Sequence, residues 1–331
     1  MSSSADKAHI DSYLQHLQTQ RKLSGHTLDN YARDLEQLIA LAKEQKDRTL
    51  RTLTSFDVRR FASQLHGRGL SPSSIARKLS AWRGFFSWMA IHHGLSVNPA
   101  DGVKAPKRPK SLPKALGVDD AIKLVAGKCA SEGDDAKDHD HDKHQQVCNQ
   151  AMFELLYSSG LRVSELTSLD VHYVETREHT SDAWLDADAG EVTVTGKGSK
   201  RRSVPVGSAA MQAIRTWLTC RSTLLASKPN ADRHALFVTA RGHRMNSRAV
   251  QLRIKAHAQA LGIPADVHPH MLRHSFASHV LQSSGDLRAV QEMLGHASIA
   301  STQVYTSLDF QRLAQVYDAA HPRAKKQGKQ Q

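Results

Sequence analysis

The sequence predicts a mainly α-helical protein of two domains, with a small antiparallel β-hairpin in the second domain. Its length of 331 residues is typical of about two domains. Apolar residues recur every three or four positions through most of the chain, which is the period of an amphipathic helix. Residues 98–116 are instead dense in proline and basic residues, and they separate two helical regions.

The first domain, residues 1–105, is predicted to be a bundle of about four helices. In HTLDNYARDLEQLIALAKEQ, the apolar positions from Leu28 to Ala42 lie on one helical face. The segments around IDSYLQHL and TSFDVRRFASQLHG supply two further helices. Ser71 followed by Pro72 is a typical start for the last one, because serine caps a helix and proline suits its first position.

A basic, proline-rich linker is predicted at residues 106–115. Proline at this density favours an extended chain over a helix. Such a linker suits contact with a phosphate backbone, and it is equally typical of a solvated connector. The second domain then covers residues 116–331.

In the second domain, QAMFELLYSSGLRVSELTSL predicts two helices separated at Gly160, and EVTVTGKGSKRRSVPV predicts a β-hairpin with a basic tip. Helical patterns continue from SAAMQAIRTWLTCRSTLL to the final LDFQRLAQVYDAAH. The acidic, histidine-rich segment at residues 131–145 is predicted to be a solvated loop. Weak metal binding by His139, His141 and His144 is the less favoured alternative.

The net charge and the cysteine content limit the partners and the kinds of site that the sequence is expected to have. The net charge of +13 favours a polyanionic partner, first of all nucleic acid, although a merely basic soluble protein stays open. Cys129, Cys148 and Cys220 form no C-x-x-C pair, so neither a disulfide framework nor a thiolate zinc site is expected. The sequence has no signal region and no apolar run of membrane-spanning length, so we expect a soluble, cytoplasmic protein.

The segment VHPHMLRHSFASHV holds two histidines four residues apart, His270 and His274. Zinc-dependent hydrolases use this spacing, but Met271 stands where H-E-x-x-H requires glutamate. Arg273 lies close to His270 on a helix, and its fixed charge opposes a cation. A guanidinium forks onto two oxygens and an imidazole can move a proton, so the pair suits a phosphate. We expect His274 to give structural support behind the site, and His279 has no assigned role.

Further positions are candidates for the same site. Arg162 lies among apolar neighbours in SSGLRVSEL and needs a partner, for which Glu165 is a candidate. Lys197 is at the predicted hairpin tip, from which a side chain can enter a groove. LGHASIASTQVY places His296 directly after a glycine and Tyr305 nine residues later. Each pattern alone is more typical of a solvated or structural residue.

In chain order, these residues resemble the signature of the tyrosine site-specific recombinases, the phage-integrase family. That signature is an Arg, a hairpin Lys, a His-x-x-Arg, a Gly-His and a Tyr. It matches Arg162, Lys197, His270, Arg273, His296 and Tyr305. The resemblance covers nearly the whole chain and is greatest for the bacterial Xer recombinases. The C-terminal SLDFQRLAQVYDAAHPRAKK resembles the XerC branch rather than the XerD branch.

The resemblance implies DNA strand exchange through a covalent 3′-phosphotyrosyl intermediate, with Tyr305 as the nucleophile. Arg162 and Arg273 would hold the non-bridging phosphate oxygens, where attack adds negative charge. His270 is expected to be the general base that helps the tyrosine lose its proton. Lys197 is expected to be the general acid for the departing 5′ oxygen, and the two roles reverse on religation.

Two further residues receive supporting roles by the same resemblance. His296 would donate a hydrogen bond to the phosphate, and Glu165 would orient Arg162 or a nearby group. Because the tyrosyl phosphodiester conserves the bond energy, no nucleotide cofactor is expected. Cationic side chains replace metal ions in stabilising the phosphate, so no metal is expected either.

For the whole chain, the resemblance implies a helical, SAM-like DNA-binding domain and a catalytic domain that clamp duplex DNA as a C shape. Four subunits would form a heterotetramer with a XerD-like recombinase, and the segment after Tyr305 would dock on a neighbouring protomer. The expected role is resolution of chromosome dimers at a dif-like site during segregation and cell division. The expected location is the cytoplasm, at the nucleoid, with an FtsK-like translocase acting through the partner.

Two other functions stay open at this point. One is an integrase or resolvase of a mobile element or plasmid. The other is a DNA-binding accessory protein that has lost catalysis, although the filled signature positions oppose it.

Overall fold

The computed structural model describes residues 2–21, 23, 25–45, 48–107, 115–127, 136–196, 200–263, 266–295, 316–317 and 319–322. The chain divides into two compact units, Met1–Ser111 and Leu112–Gln331. The described residues are mainly helical with one small sheet, which confirms the predicted fold class. The division lies inside the predicted linker. Residues 108–114 of that linker lie outside the described residues, so the linker boundaries stay a prediction.

In the first unit, the described residues form four α-helices: α1 (Ser2–Thr19), α2 (Gly25–Lys43), α3 (Ser55–Gly67) and α4 (Pro72–His93). A short 3₁₀ helix, Leu50–Thr52, lies between α2 and α3. Ser71 accepts a hydrogen bond from the Ser74 amide at the start of α4, as the sequence predicts. The fully buried aromatic side chains of this core are Phe61, Trp82, Phe85 and Phe86.

A buried carboxylate joins two of these helices. Asp34 of α2 is 1% exposed, and its side chain pairs with Arg77 and, at 2.7 Å, with Lys78 of α4. The Trp82 indole also donates to the Asp34 carbonyl at 2.8 Å. A buried charge is tolerated only when it is paired, so this contact fixes α2 against α4.

The second unit contains one sheet among helices. Its helices are α5 (Val118–Ala126), α6 (Ala136–Ser159), α7 (Val163–Ser168), α8 (Ser208–Ala226), α9 (Ser247–Ala260), α10 (Pro269–Ser284) and α11 (Leu287–Leu294). Its strands are β1 (Leu169–Asp170), β2 (Ala183–Asp186), β3 (Glu191–Thr195) and β4 (Arg201–Pro205), in the order β1-β2-β3-β4. The β1–β2 pair is parallel and the other two pairs are antiparallel.

The predicted hairpin is present as β3 and β4, with Val192 opposite Val204 and Val194 opposite Arg202. Its predicted basic tip, at residues 197–199, lies outside the described residues. The valines of this hairpin face the core of the unit, together with Phe153, Trp217 and Phe276 of the surrounding helices.

The loop prediction for residues 131–145 is wrong from residue 136 onward, because these residues form the first turns of α6. Residues 131–135 lie outside the described residues. The prediction relied on composition, which indicates only whether a segment has apolar surface to bury. The C-terminal half of α6 buries Phe153, Leu155 and Leu156 completely. Once such a helix has nucleated, each further residue adds one hydrogen bond, so a polar extension can follow.

Candidate active site

A glycine positions Arg162 at the junction of two helices. Gly160 follows the end of α6 with φ +58°, a left-handed conformation that ends helices. A Cβ at Gly160 would lie 2.8 Å from Cε1 and 3.0 Å from Cγ of buried Phe276, and closer still to Cδ1. Only glycine fits there. The turn leaves Arg162 at the position that precedes α7.

Glu165 holds Arg162 in place, as the sequence predicts. Its Oε2 accepts a hydrogen bond from the Arg162 backbone amide at 2.8 Å, and its Oε1 accepts one from Arg162 Nη1 at 2.8 Å. The Glu165 side chain is only 6% exposed, whereas that of Arg162 is 36% exposed. Arg162 can therefore reach a ligand while its carboxylate partner stays shielded from water.

Arg202 of β4 is a second partner of Glu165, and the sequence reasoning missed it. Its Nη1 and Nη2 donate to the two Glu165 carboxylate oxygens at 3.0 and 2.9 Å, which is the bidentate geometry of a strong pair. Burial raises the pKa of Glu165, but hydrogen bonds from Arg202 and Arg162 outweigh it and hold this pKa below its ordinary value. Glu165 is therefore ionised at neutral pH.

Arg273 of α10 reaches the same place. Its Nη1 donates to the Gly160 carbonyl at 2.6 Å and its Nη2 to the Leu294 carbonyl at 2.5 Å, and Nη1 lies 3.9 Å from a Glu165 oxygen. The side chain is 9% exposed. Burial, and next the charge of Arg162, lower the pKa of Arg273 to about 10, so it remains charged at neutral pH.

His270 lies one helical turn before Arg273 and is exposed. The ring is nevertheless partly desolvated by its neighbours, which lowers its pKa, and the nearby charges of His268, Arg273 and Arg162 act in the same direction. The imidazole is therefore neutral at neutral pH and able to accept a proton, as a general base must. His268 itself precedes α10, where its Nδ1 accepts a hydrogen bond from the Met271 amide.

The electrostatics of this cluster favour an anion. Three guanidinium groups, those of Arg162, Arg202 and Arg273, share the single carboxylate of Glu165, so these four side chains carry a net charge of two positive units. A phosphodiester supplies a compensating charge, and forked guanidinium groups match its oxygens. The structure thus brings together Arg162, His270 and Arg273. Lys197, His296 and Tyr305 lie outside the described residues, and their positions stay predictions.

The histidines His274 and His279 of α10 have different surroundings. His274 is exposed and makes no side-chain hydrogen bond to the described residues. His279 is 5% exposed, and its ring bonds the Tyr157 hydroxyl at 2.9 Å and the Leu116 carbonyl at 3.0 Å. His279 therefore lies on the core face of α10 and His274 on its solvent face, so the supporting role expected of His274 stays a prediction.

Two kinds of feature are absent from the part of the chain that the structure describes. There, no three His, Cys, Asp or Glu side chains are grouped so that they could hold a metal ion. In the same part, no helix is both long and apolar enough to cross a membrane.

Comparison with known proteins identifies the family. The profile of the phage integrase family matches residues 134–312, and that of the phage integrase N-terminal SAM-like domain matches residues 10–93. The chain belongs to the phage integrase family. It is a tyrosine recombinase, which confirms the resemblance in sequence and makes it an enzyme of site-specific DNA recombination.

Two curated relatives of this phage integrase family member cover almost the whole chain. Tyrosine recombinase XerC of Ralstonia pickettii (strain 12J) is 55% identical over 320 residues, which are 96% of this chain and 94% of that protein. Tyrosine recombinase XerC of Pseudomonas aeruginosa is 46% identical over 323 residues, which are 97% of each.

Solved structures show the same fold at lower identity. XerH site-specific recombinase in a post-cleavage complex with a palindromic difH substrate is 21% identical, with a TM-score of 0.61 over 96% of this chain and 84% of that one. A lambda integrase (75–356) dimer bound to a COC′ core site is 16% identical, with a TM-score of 0.61 over 91% of this chain and 99% of that one. At these identities, the two structures support the fold of the family alone.

Proposed function

We propose that this recombinase cuts and rejoins DNA strands through a covalent bond between Tyr305 and a DNA 3′ phosphate. The cationic cluster around Glu165 carries this proposal. It presents the partly exposed Arg162 and the buried, charged Arg273 within one anion-binding site, with a neutral His270 beside them. Relatives and structural neighbours named as recombinases, some in complex with DNA, support a duplex as the ligand.

The proposed cleavage step follows from these side chains. The Tyr305 hydroxyl oxygen attacks phosphorus and transfers its proton to His270, while the bond from phosphorus to the 5′ oxygen breaks. Lys197 protonates that oxygen as it leaves. Arg162 and Arg273 neutralise the charge that builds up on the non-bridging oxygens, which is the largest contribution expected in phosphoryl transfer. His296 donates a further hydrogen bond, and religation runs the same steps in reverse.

The proposed biological role is that of a XerC-type recombinase. Identities of 55% and 46% over nearly the full length of XerC proteins support it. In this role, the chain acts with a XerD-like partner in a heterotetramer on a dif-like site and resolves chromosome dimers at the nucleoid. The two domains would clamp the duplex as a C shape, and an FtsK-like translocase would act through the partner.

The described part of the C-terminal segment lies on its own catalytic unit. Tyr317 is 1% exposed, with its hydroxyl 2.6 Å from Ser158 Oγ, and His321 Nε2 lies 3.1 Å from the Tyr157 carbonyl. We propose that this segment docks on a neighbouring protomer in the assembled complex. Such an exchange requires the contacts of Tyr317 and His321 to open.

The decisive test is formation of a covalent adduct. A core site is selected by binding from a randomised duplex library, prepared as a nicked suicide substrate and incubated with the protein in EDTA. The wild type and Tyr173→Phe, a control at an exposed tyrosine, are expected to form a protein–DNA adduct, and Tyr305→Phe is expected to form none. An adduct that persists in Tyr305→Phe, or that requires a divalent metal, would contradict the proposal.

A second assay separates the chromosomal role from that of a mobile-element integrase. Complete recombination between two selected sites is measured with this chain alone and with an added XerD-like recombinase. The XerC-type role requires the partner for the second pair of strand exchanges. Full recombination by this chain alone would favour the integrase.

A further inference from the structure

Arg202 is the most thoroughly engaged side chain of the cluster. It lies on β4, 5% exposed, and all three guanidinium nitrogens have partners. Nη1 and Nη2 hold the two oxygens of Glu165, and Nε donates to the Met293 carbonyl at 2.9 Å. A guanidinium committed in this way is poorly placed to bind a DNA phosphate, so its role in the site must be exerted through its neighbours.

One neighbour of Arg202 is Glu165, which also binds Arg162. The carboxylate that Arg202 holds on both oxygens is the same one that receives Arg162 Nη1 and the Arg162 amide. Without Arg202, the Glu165 carboxylate is free to rotate toward Arg162 and Arg273. Arg202 thus determines where the carboxylate points, and the carboxylate determines where Arg162 points.

The other neighbour of Arg202 is the C-terminal end of α11, which precedes the proposed catalytic residues His296 and Tyr305 in the chain. Met293 and Leu294 are the last residues of α11, and their carbonyls accept hydrogen bonds from Arg202 and Arg273. Cationic donors at a helix C-terminus satisfy its free carbonyls and complement its dipole. The chain then turns at Gly295, with φ +63°, where an added Cβ would lie 3.0 Å from Arg202 Nη1. The turn and the guanidinium are therefore packed directly against each other.

We propose that Arg202 is a positioning residue of the recombination reaction, one that couples the phosphate-binding Arg162 to the C-terminal end of α11. The inference rests on the proposed function, because it assumes that Arg162 binds the scissile phosphate. It assigns Arg202 no contact with DNA.

The test compares Arg202→Gln with Arg221→Gln. Arg221 is a matched control, since it is a buried arginine of the same unit whose guanidinium bonds the carbonyls of Arg233 and Ala235 and contacts no residue of the cluster. On the selected nicked duplex, Arg202→Gln is expected to lower the single-turnover cleavage rate by about 10- to 100-fold, as loss of an orienting partner typically does. Binding to the intact duplex is expected to change by less than about threefold, since few phosphate contacts are lost.

A neutral substrate distinguishes positioning from general damage to the fold. If the scissile phosphate is replaced by a methylphosphonate, it carries no charge for Arg162 to neutralise. The Arg202→Gln defect is then expected to shrink to less than about threefold, because the missing electrostatic stabilisation is no longer required. A defect of equal size on both substrates, or one that Arg221→Gln reproduces, would overturn the inference.

Two further measurements distinguish failure of this inference from failure of the proposed function. Arg202→Lys retains the charge but not the planar fork, so it is expected to recover stability without recovering the cleavage rate. It replaces Arg202→Gln in both assays if the latter fails to fold, and wild-type cleavage by Arg202→Lys would also overturn the inference. Absence of an adduct with the wild-type protein would refute the proposed function itself. Cleavage at the wild-type rate by the Arg202 variants would refute only the role of Arg202.

Discussion

Replacement of Gly160 by alanine tests whether the turn before Arg162 requires glycine. The added methyl group would meet the Phe276 ring at 2.8 and 3.0 Å from two of its carbons, and that ring is completely buried. The residue would also have to keep φ +58°, which L-residues rarely adopt. Both effects act at the carbonyl that accepts the hydrogen bond from Arg273 Nη1.

The expected cost is the sum of two contributions. A left-handed conformation costs a non-glycine residue about 1–2 kcal/mol. Overpacking a buried site costs about 1–3 kcal/mol more. The free energy of unfolding should therefore fall by about 2–5 kcal/mol, which for a unit of this size lowers Tm by about 4–20 °C.

The assay is differential scanning calorimetry of the full chain, with Gly190→Ala as the control. Gly190 has φ +71° in the same unit, but a Cβ there meets nothing within 4 Å. The control should lose only the conformational contribution of about 1–2 kcal/mol. Equal melting temperatures for Gly160→Ala and Gly190→Ala would refute the argument that Phe276 excludes a side chain. Adduct formation by Gly160→Ala should also slow, because strain at residue 160 shifts the carbonyl that holds Arg273.

Two further predictions concern histidines of α10. Since the pKa of His270 lies below its ordinary value, the second-order rate constant for cleavage should hold at neutral pH and fall only below about pH 6.5, as the imidazole gains a proton. His270→Gln should abolish this acid limb, and an unchanged pH profile in that variant would exclude His270 as the base. His279→Ala should lower the free energy of unfolding by about 1–3 kcal/mol, because it removes the bonds to Tyr157 and Leu116. His274→Ala should change it by less than about 0.5 kcal/mol, and the reverse order in a urea titration would contradict the assignment.

The positions of His274 and His279 were within reach of sequence reasoning. Leu272 and Phe276 mark the core face of α10, and His279 follows Phe276 by three residues, on the same face. His274 stands two residues after Leu272, on the opposite face.

Arg202 could also have been found, although less directly. It is one of three consecutive basic residues, and charge alone favours solvent for all of them. The alternation of a strand places Arg202 on the same face as Val204, which is buried. The partners of Arg202 could not have been predicted in this way. Glu165 and Met293 lie 37 and 91 positions away in the sequence, and no local pattern indicates such contacts.

The helical start of α6 could not be predicted from the composition of its own residues. Composition correctly indicates that residues 136–145 have little apolar surface to bury. It does not indicate that a well-buried helix follows directly and can extend into them. Local composition measures what a segment can stabilise by itself, whereas its conformation here depends on what it is attached to.

The long sequence separations within the arginine cluster bear on protein synthesis. The bond from Arg273 to the Gly160 carbonyl joins positions 113 residues apart, and both Arg202 and Arg273 depend on carbonyls at residues 293 and 294. A nascent chain that ends before these residues carries the basic residues that attract DNA, but it cannot assemble the cluster around Glu165. The proposed nucleophile at residue 305 emerges later still. An unfinished or truncated copy therefore lacks both the assembled cluster and the proposed nucleophile, and it is expected to bind DNA without cutting it.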